Sequence, residues 1–131
     1  MSSCCKEGFK WNGQPVGKET TLGKNPAYVT GDNKDAAVLI IADVFGWTLP
    51  NVRLLADHYA KEANVTVYVP DYFGGEVVEP DMLEDPEKRK NFDIMAFIGR
   101  NSKEIRFPEI TANAKELKSN YKKVAAIGFC Y

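Results

Sequence analysis

The sequence predicts an α/β fold with a mostly parallel sheet and an antiparallel hairpin near the N-terminus. Three short, uncharged and largely apolar runs carry this prediction: residues 36–42, 65–69 and 124–128. Such runs are typical of strands that are buried on both faces of a parallel sheet. Helical patterns separate the runs, so we expect parallel pairing through right-handed crossover connections.

The hairpin is predicted from turn signals that precede the first run. Residues 18–22 and 27–30 are candidate strands, and residues 23–26, which begin with glycine and end with proline, form the turn between them. The dipeptide Asn12-Gly13 is a strong type I′ turn signal. It extends the predicted antiparallel region back to Gly8.

Two helices are predicted between the runs. The first spans residues 50–63, because Pro50 suits the first helical position and Asn64 suits the end of a helix. The second is expected to begin at Pro108 and to end near Asn120, with an apolar face on one side.

The composition argues against several classes of partner. The length of 131 residues fits a single domain, residues 1–131. The 17 basic and 18 acidic residues give a net charge of −1, which does not favour nucleic acid or an anionic membrane as a partner. No apolar run approaches the ~20 residues that are needed to span a bilayer.

The cysteines indicate a reducing, cytoplasmic compartment. Cys4, Cys5 and Cys130 are odd in number, and the N-terminus lacks the apolar core of a secretory signal. Adjacent Cys4-Cys5 also lacks the spacing of a zinc half-site, so no metal is predicted.

The end of the third run carries the candidate nucleophile. Gly128 stands two places before Cys130, and a glycine at this position, after a buried strand, is the first half of a nucleophile elbow. The thiol of Cys130 would then lie above the sheet. The alternative is that Cys130 is a small apolar residue packed at a strand end.

Further candidates follow the first two runs, at the edge of the sheet where open α/β folds bind ligands. Asp43 is a candidate functional carboxylate, or else a solvated loop residue or helix cap. Phe45, Trp47 and Tyr72 are candidates for an apolar substrate pocket, with simple packing as the alternative. His58, the only histidine, lies mid-helix and is interpreted as a surface or core-edge residue.

Three motifs in order resemble the dienelactone hydrolase family: I-A-D-V-F-G at 41–46, V-P-D-Y-F-G at 69–74 and I-G-F-C-Y at 127–131. The opening from Cys4 to Gly17 is similar to that of fungal members. The resemblance implies the N-terminal part of an α/β-hydrolase fold, a Cys-Asp-His triad, no metal or other cofactor, and a small-molecule ester or lactone as substrate.

The resemblance also assigns roles. It places the nucleophile at Cys130 and, at Asp43, the strand-end carboxylate that is usually glutamate in the family and interacts with the resting thiol. The oxyanion hole would use the backbone N–H groups of Val44 and Tyr131, in agreement with the general rule for this elbow.

The acidic residue and the histidine of such a triad follow the nucleophile in chain order, so both would lie beyond Tyr131. We therefore expect a single incomplete domain, an inactive N-terminal half of a hydrolase with a cysteine nucleophile. Its last strand would have an unpaired apolar edge, which favours self-association. The alternative is a non-catalytic α/β protein that binds a small ligand or a partner at the same edge.

Overall fold

A computed structural model describes residues 10–130, except for the side chains of Leu83 and Glu84. Within these residues the chain forms strands and helices in an alternating order after an initial hairpin. The elements are β1 (Lys18–Leu22), β2 (Asn25–Thr30), β3 (Ala36–Ile41), α1 (Pro50–Ala63), β4 (Thr66–Pro70), α2 (Asp81–Glu84), α3 (Pro86–Asn91), α4 (Ile94–Arg100), α5 (Lys103–Asn120) and β5 (Lys123–Gly128).

The strands form one sheet in the order β1-β2-β4-β3-β5. β3 pairs in parallel with both β4 and β5, while β2 pairs antiparallel with β1 and with β4. The predicted α/β class, the parallel pairing of the three apolar runs and the hairpin are therefore confirmed. Asn25, predicted to lie in the turn, is already the first residue of β2.

The prediction of a hairpin turn at Asn12-Gly13 is wrong. A type I′ turn requires positive φ at both central residues, and Asn12 does not have it. The segment instead runs along α1, where the N–H of Trp11 donates to Asn51 at 2.9 Å and that of Val16 donates to Asp57 at 3.0 Å. Hydrogen bonds to side chains of α1 thus hold this segment along the helix, whereas the turn signal alone predicted that the chain would reverse direction at Asn12-Gly13. Gly8 lies outside the described residues.

Helices cover both faces of the sheet at β3. Ala37 and Leu39 of β3 pack in the same cluster as the buried apolar residues of α5, whereas Val38 and Ile40 pack with Ala56 of α1. This alternation follows from the two-residue period of a strand. It explains why the β3 sequence is apolar throughout.

The bounds predicted for α1 are confirmed, including the left-handed Asn64 at its end, which has a φ of 49°. The predicted start of α5 is wrong, because the helix begins at Lys103 and contains Pro108 in its interior. A proline there removes one backbone hydrogen bond. Burial of Ile110 and Leu117 against the sheet offsets this loss.

β5 differs from the prediction of a strand buried on both faces. It lies at the edge of the sheet and, among residues 10–130, it pairs with β3 alone. Ala125 and Ala126 are exposed, while Val124 and Ile127 are half-buried. The apolar run identified a strand correctly, but it did not reveal the position of this strand at the edge of the sheet.

A third apolar cluster closes the carboxyl edge of the sheet. Phe73, Val78 and Phe97 form its buried part, and Val44 and Phe45 pack against it. The cluster joins the loops after β3 and β4 to α4. It therefore supports the backbone at the edge where the strands end.

We predict that Gly31→Ala lowers the free energy of unfolding by roughly 3 kcal/mol, because the new Cβ would add overlap to backbone strain. Gly31 has a φ of +85°, and a Cβ there would lie 2.3 Å from the carbonyl oxygen of Val65. Gly75→Ala is the matched control, since Gly75 has a φ of +84° and a Cβ would meet nothing within 4 Å. Urea unfolding of both variants measures the difference. Equal losses would show that overlap at Gly31 is unimportant.

Candidate active site at the carboxyl edge of the sheet

The topology places Asp43 and Cys130 after neighbouring strand ends at one edge of the sheet. The chain passes from β3 through α1 to β4 and then returns past β3 to β5, so the strand order reverses at β3. Open α/β sheets bind ligands outside the carboxyl ends of the strands at such a reversal. Gly128 pairs with Ile41, and the N–H of Phe129 donates to the carbonyl oxygen of Ile41 at 3.0 Å. Cys130 and Asp43 therefore follow two strand ends that are held in register.

Cys130 has the backbone conformation of a sharp turn. Its φ is +64°, in the left-handed region that residues other than glycine rarely adopt. The residue is exposed. Such strain is concentrated at functional sites, and a nucleophile elbow has a strained strand-to-helix turn of this kind. A Cβ at Gly128 would meet no atom within 4 Å, so the described residues give no steric reason for glycine there.

Asp43 begins a tight turn directly after β3. Its carboxylate accepts the N–H of Phe45 at 3.1 Å, and its carbonyl oxygen accepts the N–H of Gly46 at 2.9 Å. Burial raises the pKa of Asp43, and the hydrogen bond from Phe45 opposes this shift with a smaller effect. The carboxyl group is thus held half-buried in the turn after β3, where its charged form is disfavoured.

The N–H of Val44 differs from those of Phe45 and Gly46, which are both bonded within the turn. Among residues 10–130, no acceptor takes the N–H of Val44, whose side chain packs into the third apolar cluster. Phe45 lines a cavity of about 180 Å³ between the start of α1 and the segment that precedes α2. Its other lining residues are Thr48, Leu49, Pro50, Val77, Val78, Glu79 and Pro80. The second proposed oxyanion donor, Tyr131, lies outside the described residues, as do Cys4 and Cys5.

The other two pocket candidates have contacts that favour packing. Tyr72 is 2% exposed on the face of the sheet that α5 covers, and its hydroxyl accepts from the amide of Asn113 at 3.1 Å. Burial raises the pKa of Tyr72 to about 12. Trp47 packs against the cluster under α1, with the guanidinium of Arg53 5.0 Å from its ring centroid. A substrate-lining role for either residue stays a prediction.

Three further residues show what the sequence pattern did and did not reveal. The carboxylate of Asp71 accepts the N–H groups of Phe73 at 2.8 Å and Gly75 at 2.6 Å, so it fixes its own loop. His58 is exposed on α1. The contacts of Arg53 were not anticipated, although a cation near the start of a helix whose first turn has no acidic residue is an unusual pattern.

No metal centre is built from the described residues: none of their His, Cys, Asp and Glu side chains form a group of three or more that could hold an ion. Within the same residues, no helix combines the length and the apolar character that crossing a membrane requires.

Comparisons with known proteins agree with this arrangement. The model of the dienelactone hydrolase family matches residues 25–131. A carboxymethylenebutenolidase homolog from Homo sapiens is 36% identical over 134 residues, which cover 97% of this chain and 51% of that protein. Hydrolase pyvD from Aspergillus violaceofuscus is 29% identical over 135 residues, which cover 99% of this chain and 52% of that protein. The chain thus spans about half the length of these relatives.

A solved structure shares the fold. A protein described as a dienelactone hydrolase of Klebsiella pneumoniae subsp. pneumoniae superposes with a TM-score of 0.58, covering 88% of this chain and 50% of that one. At 16% identity this similarity shows the fold alone.

We predict that Asp43→Asn is more stable than the wild-type protein at pH 7. A folded-state pKa above the ordinary value of 3.8 means that stability falls as the pH rises through this window. Asparagine removes the buried charge and keeps an acceptor for Phe45, so the gain should vanish when the pH falls below the ordinary carboxyl pKa. Thermal unfolding at several pH values measures it. Asp43→Ala, which also removes the acceptor, is the control and should not gain stability. A pH-independent difference between Asn and wild type would contradict the burial argument.

Proposed function

This chain belongs to the dienelactone hydrolase family, and on that premise we propose that it carries the nucleophile of a hydrolase acting on ester or lactone bonds. The family supports a hydrolase with a small-molecule substrate. The role of Cys130, the place of this chain as the N-terminal half of the enzyme and its location in the reducing cytoplasm are parts of the proposal. A thiol nucleophile must stay reduced to react, which suits that compartment.

One observation carries the proposal: Cys130 has a φ of +64° directly beyond the end of β5, beside the loop that follows β3. An inert cysteine packed at a strand end gains nothing from left-handed backbone. A nucleophile gains exposure above the sheet, and the loop after the neighbouring strand has a Val44 N–H with no acceptor among the described residues.

The proposed reaction proceeds by acyl transfer. The sulfur of Cys130 bonds to the carbonyl carbon as the π electron pair moves to oxygen, and the N–H groups of Val44 and Tyr131 stabilise this oxyanion. Collapse of the tetrahedral species breaks the C–O bond and leaves a thioester on Cys130. The thiol proton passes through a base to the leaving oxygen. Water then hydrolyses the thioester, which releases the acid and restores the thiol.

Asp43 is proposed to poise the resting thiol. It follows the end of β3, the strand paired with β5, and its carboxyl group is half-buried there. The base and its acidic partner are proposed to lie beyond residue 131, since they follow the nucleophile in chain order in this fold. The half-length match to the relatives supports this reading.

The non-catalytic alternative, a protein that only binds a ligand or a partner at the same edge, is not favoured. Membership of a hydrolase family and the strained backbone at Cys130 both support chemistry at this edge. Binding alone would not require that strain.

We predict that a longer form of the protein, continuing past residue 131 with a later aspartate and histidine, hydrolyses activated esters and lactones. Cys130→Ala should lower its turnover by about 10⁴-fold or more, because the triad acts as a unit. The 131-residue chain should show no measurable turnover. Rates on a panel of substrates measure both.

His58→Gln in the longer form is the matched control and should leave the rate unchanged, since His58 is exposed on α1. If the 131-residue chain hydrolyses the same substrates at a Cys130-dependent rate near that of the longer form, the proposed triad is wrong.

We also propose that the 131-residue chain associates with itself through the outer edge of β5. Ala125 and Ala126 are exposed there, and an apolar edge strand presents unpaired backbone groups to a second copy. Ala126→Lys should shift the protein to monomer in analytical ultracentrifugation, because a charged side chain blocks edge pairing. Thr21→Lys, exposed on β1 at the opposite edge, should leave the association unchanged. A monomeric wild-type chain at high concentration would refute this proposal.

A further inference from the structure

Arg53 stands where a cation weakens a helix. It is the fourth residue of α1, whose first turn has no acidic side chain and whose N-cap, Leu49, makes no side-chain cap. The N-terminus of a helix carries partial positive charge, so a guanidinium there is unfavourable unless it is bound elsewhere. The side chain is only 16% exposed. The stability of α1 therefore does not explain this residue.

The guanidinium is bound on several sides. Its Nε donates to the carbonyl oxygen of Trp47 at 3.0 Å, and its Nη2 donates to Glu19 at 2.8 Å. Its central carbon lies 5.0 Å from the ring centroids of both Tyr28 and Trp47, within the range of a cation–π contact. Arg53 thus links β1, β2 and the loop that follows β3.

The sheet side of this link is rigid. The hydroxyl of Tyr28 donates to Asp57 at 2.7 Å and accepts from the N–H of Gly17 at 2.6 Å. Burial and the bond to Asp57 raise the pKa of Tyr28 to about 12, so this donor keeps its proton across the physiological range. Tyr28 is 1% exposed. Its ring is therefore a fixed surface for the guanidinium.

We infer that Arg53 positions the loop of residues 43–47, which carries Asp43 and the Val44 N–H. The turn at Asp43 fixes the beginning of this loop, and the bond from Arg53 to Trp47 fixes its end. Arg53 is a positioning residue that acts through Trp47. The inference rests on the proposed function in one respect only. That function uses this loop to supply an oxyanion donor and a carboxylate beside Cys130.

The geometry requires arginine rather than a positive charge alone. Two separate nitrogens of one planar group reach Trp47 and Glu19, while its flat face lies against aromatic rings. A lysine ammonium can supply the charge but not this fork. Arg53→Lys therefore removes the contacts that position the loop and keeps the local positive charge.

The test measures amide hydrogen exchange in the 131-residue chain by NMR. In Arg53→Lys we expect the protection of the Phe45 and Gly46 amides to fall about tenfold, while Val67 and Val69 in the sheet change by less than about twofold. We also expect the pKa of Asp43 to move down toward its ordinary value, since burial raises it and a loosened loop admits water. Charge is conserved in this variant, so loss of a cation cannot cause the shift.

Arg100→Lys is the matched control. Arg100, like Arg53, binds a glutamate, but it lies exposed on α4 and uses two nitrogens to bind Glu76. It should leave the loop amides and the pKa of Asp43 unchanged. Equal loss of protection in the loop and the sheet, or no loss in either, would overturn the inference.

If Arg53→Lys fails to fold, Glu19→Gln decides. It weakens the anchor of the guanidinium and keeps the bond to Trp47, so a smaller loss confined to the loop supports the inference, and unchanged loop protection overturns it. None of these readouts requires turnover. Absence of hydrolysis by the longer form would therefore refute the proposed function and leave the role of Arg53 standing. Unchanged protection of the loop amides would refute the role of Arg53 and leave the proposed function standing.

Discussion

The structure depends on the pairing of β3 with a parallel strand on each side. Leu39 and Ile40 at its centre are fully buried, on opposite faces, so the same strand anchors α1 and α5. Burial of each such side chain is worth about 1.5–3 kcal/mol, and a slip of one residue would exchange the two faces. The register between β3 and β5 therefore fixes where these two strands end. It also fixes the positions of Asp43 and Cys130, which follow them.

The candidate site combines groups that are locally unfavourable. The backbone of Cys130 lies in the left-handed region, and the carboxyl group of Asp43 is taken out of water. Each costs free energy that only the surrounding packing can offset. Among the described residues, no residue of the five strands shares the left-handed backbone of Cys130.

Support for this edge comes from two sides of the sheet. The apolar cluster of Phe73, Val78 and Phe97 packs against Val44 and Phe45, while Arg53 holds the end of the same loop from the side of α1. The loop is thus fixed by packing from residues distant in sequence and by hydrogen bonds from residues close to it in sequence. The proposed oxyanion donor, the N–H of Val44, would therefore belong to a preorganised loop.

The sequence by itself determined the three parallel strands, the hairpin, the bounds of α1 and the glycine–cysteine spacing of the elbow, because each depends on local periodicity or on a local backbone preference. The tertiary structure alone decided the rest. Side chains of α1 overrode the turn signal at Asn12-Gly13, and burial of α5 against the sheet carried the helix through Pro108. The edge position of β5, the buried hydroxyl of Tyr72 and the contacts of Arg53 depend on partners far along the chain. Periodicity records which face of an element is apolar, whereas only the packed molecule shows what covers it.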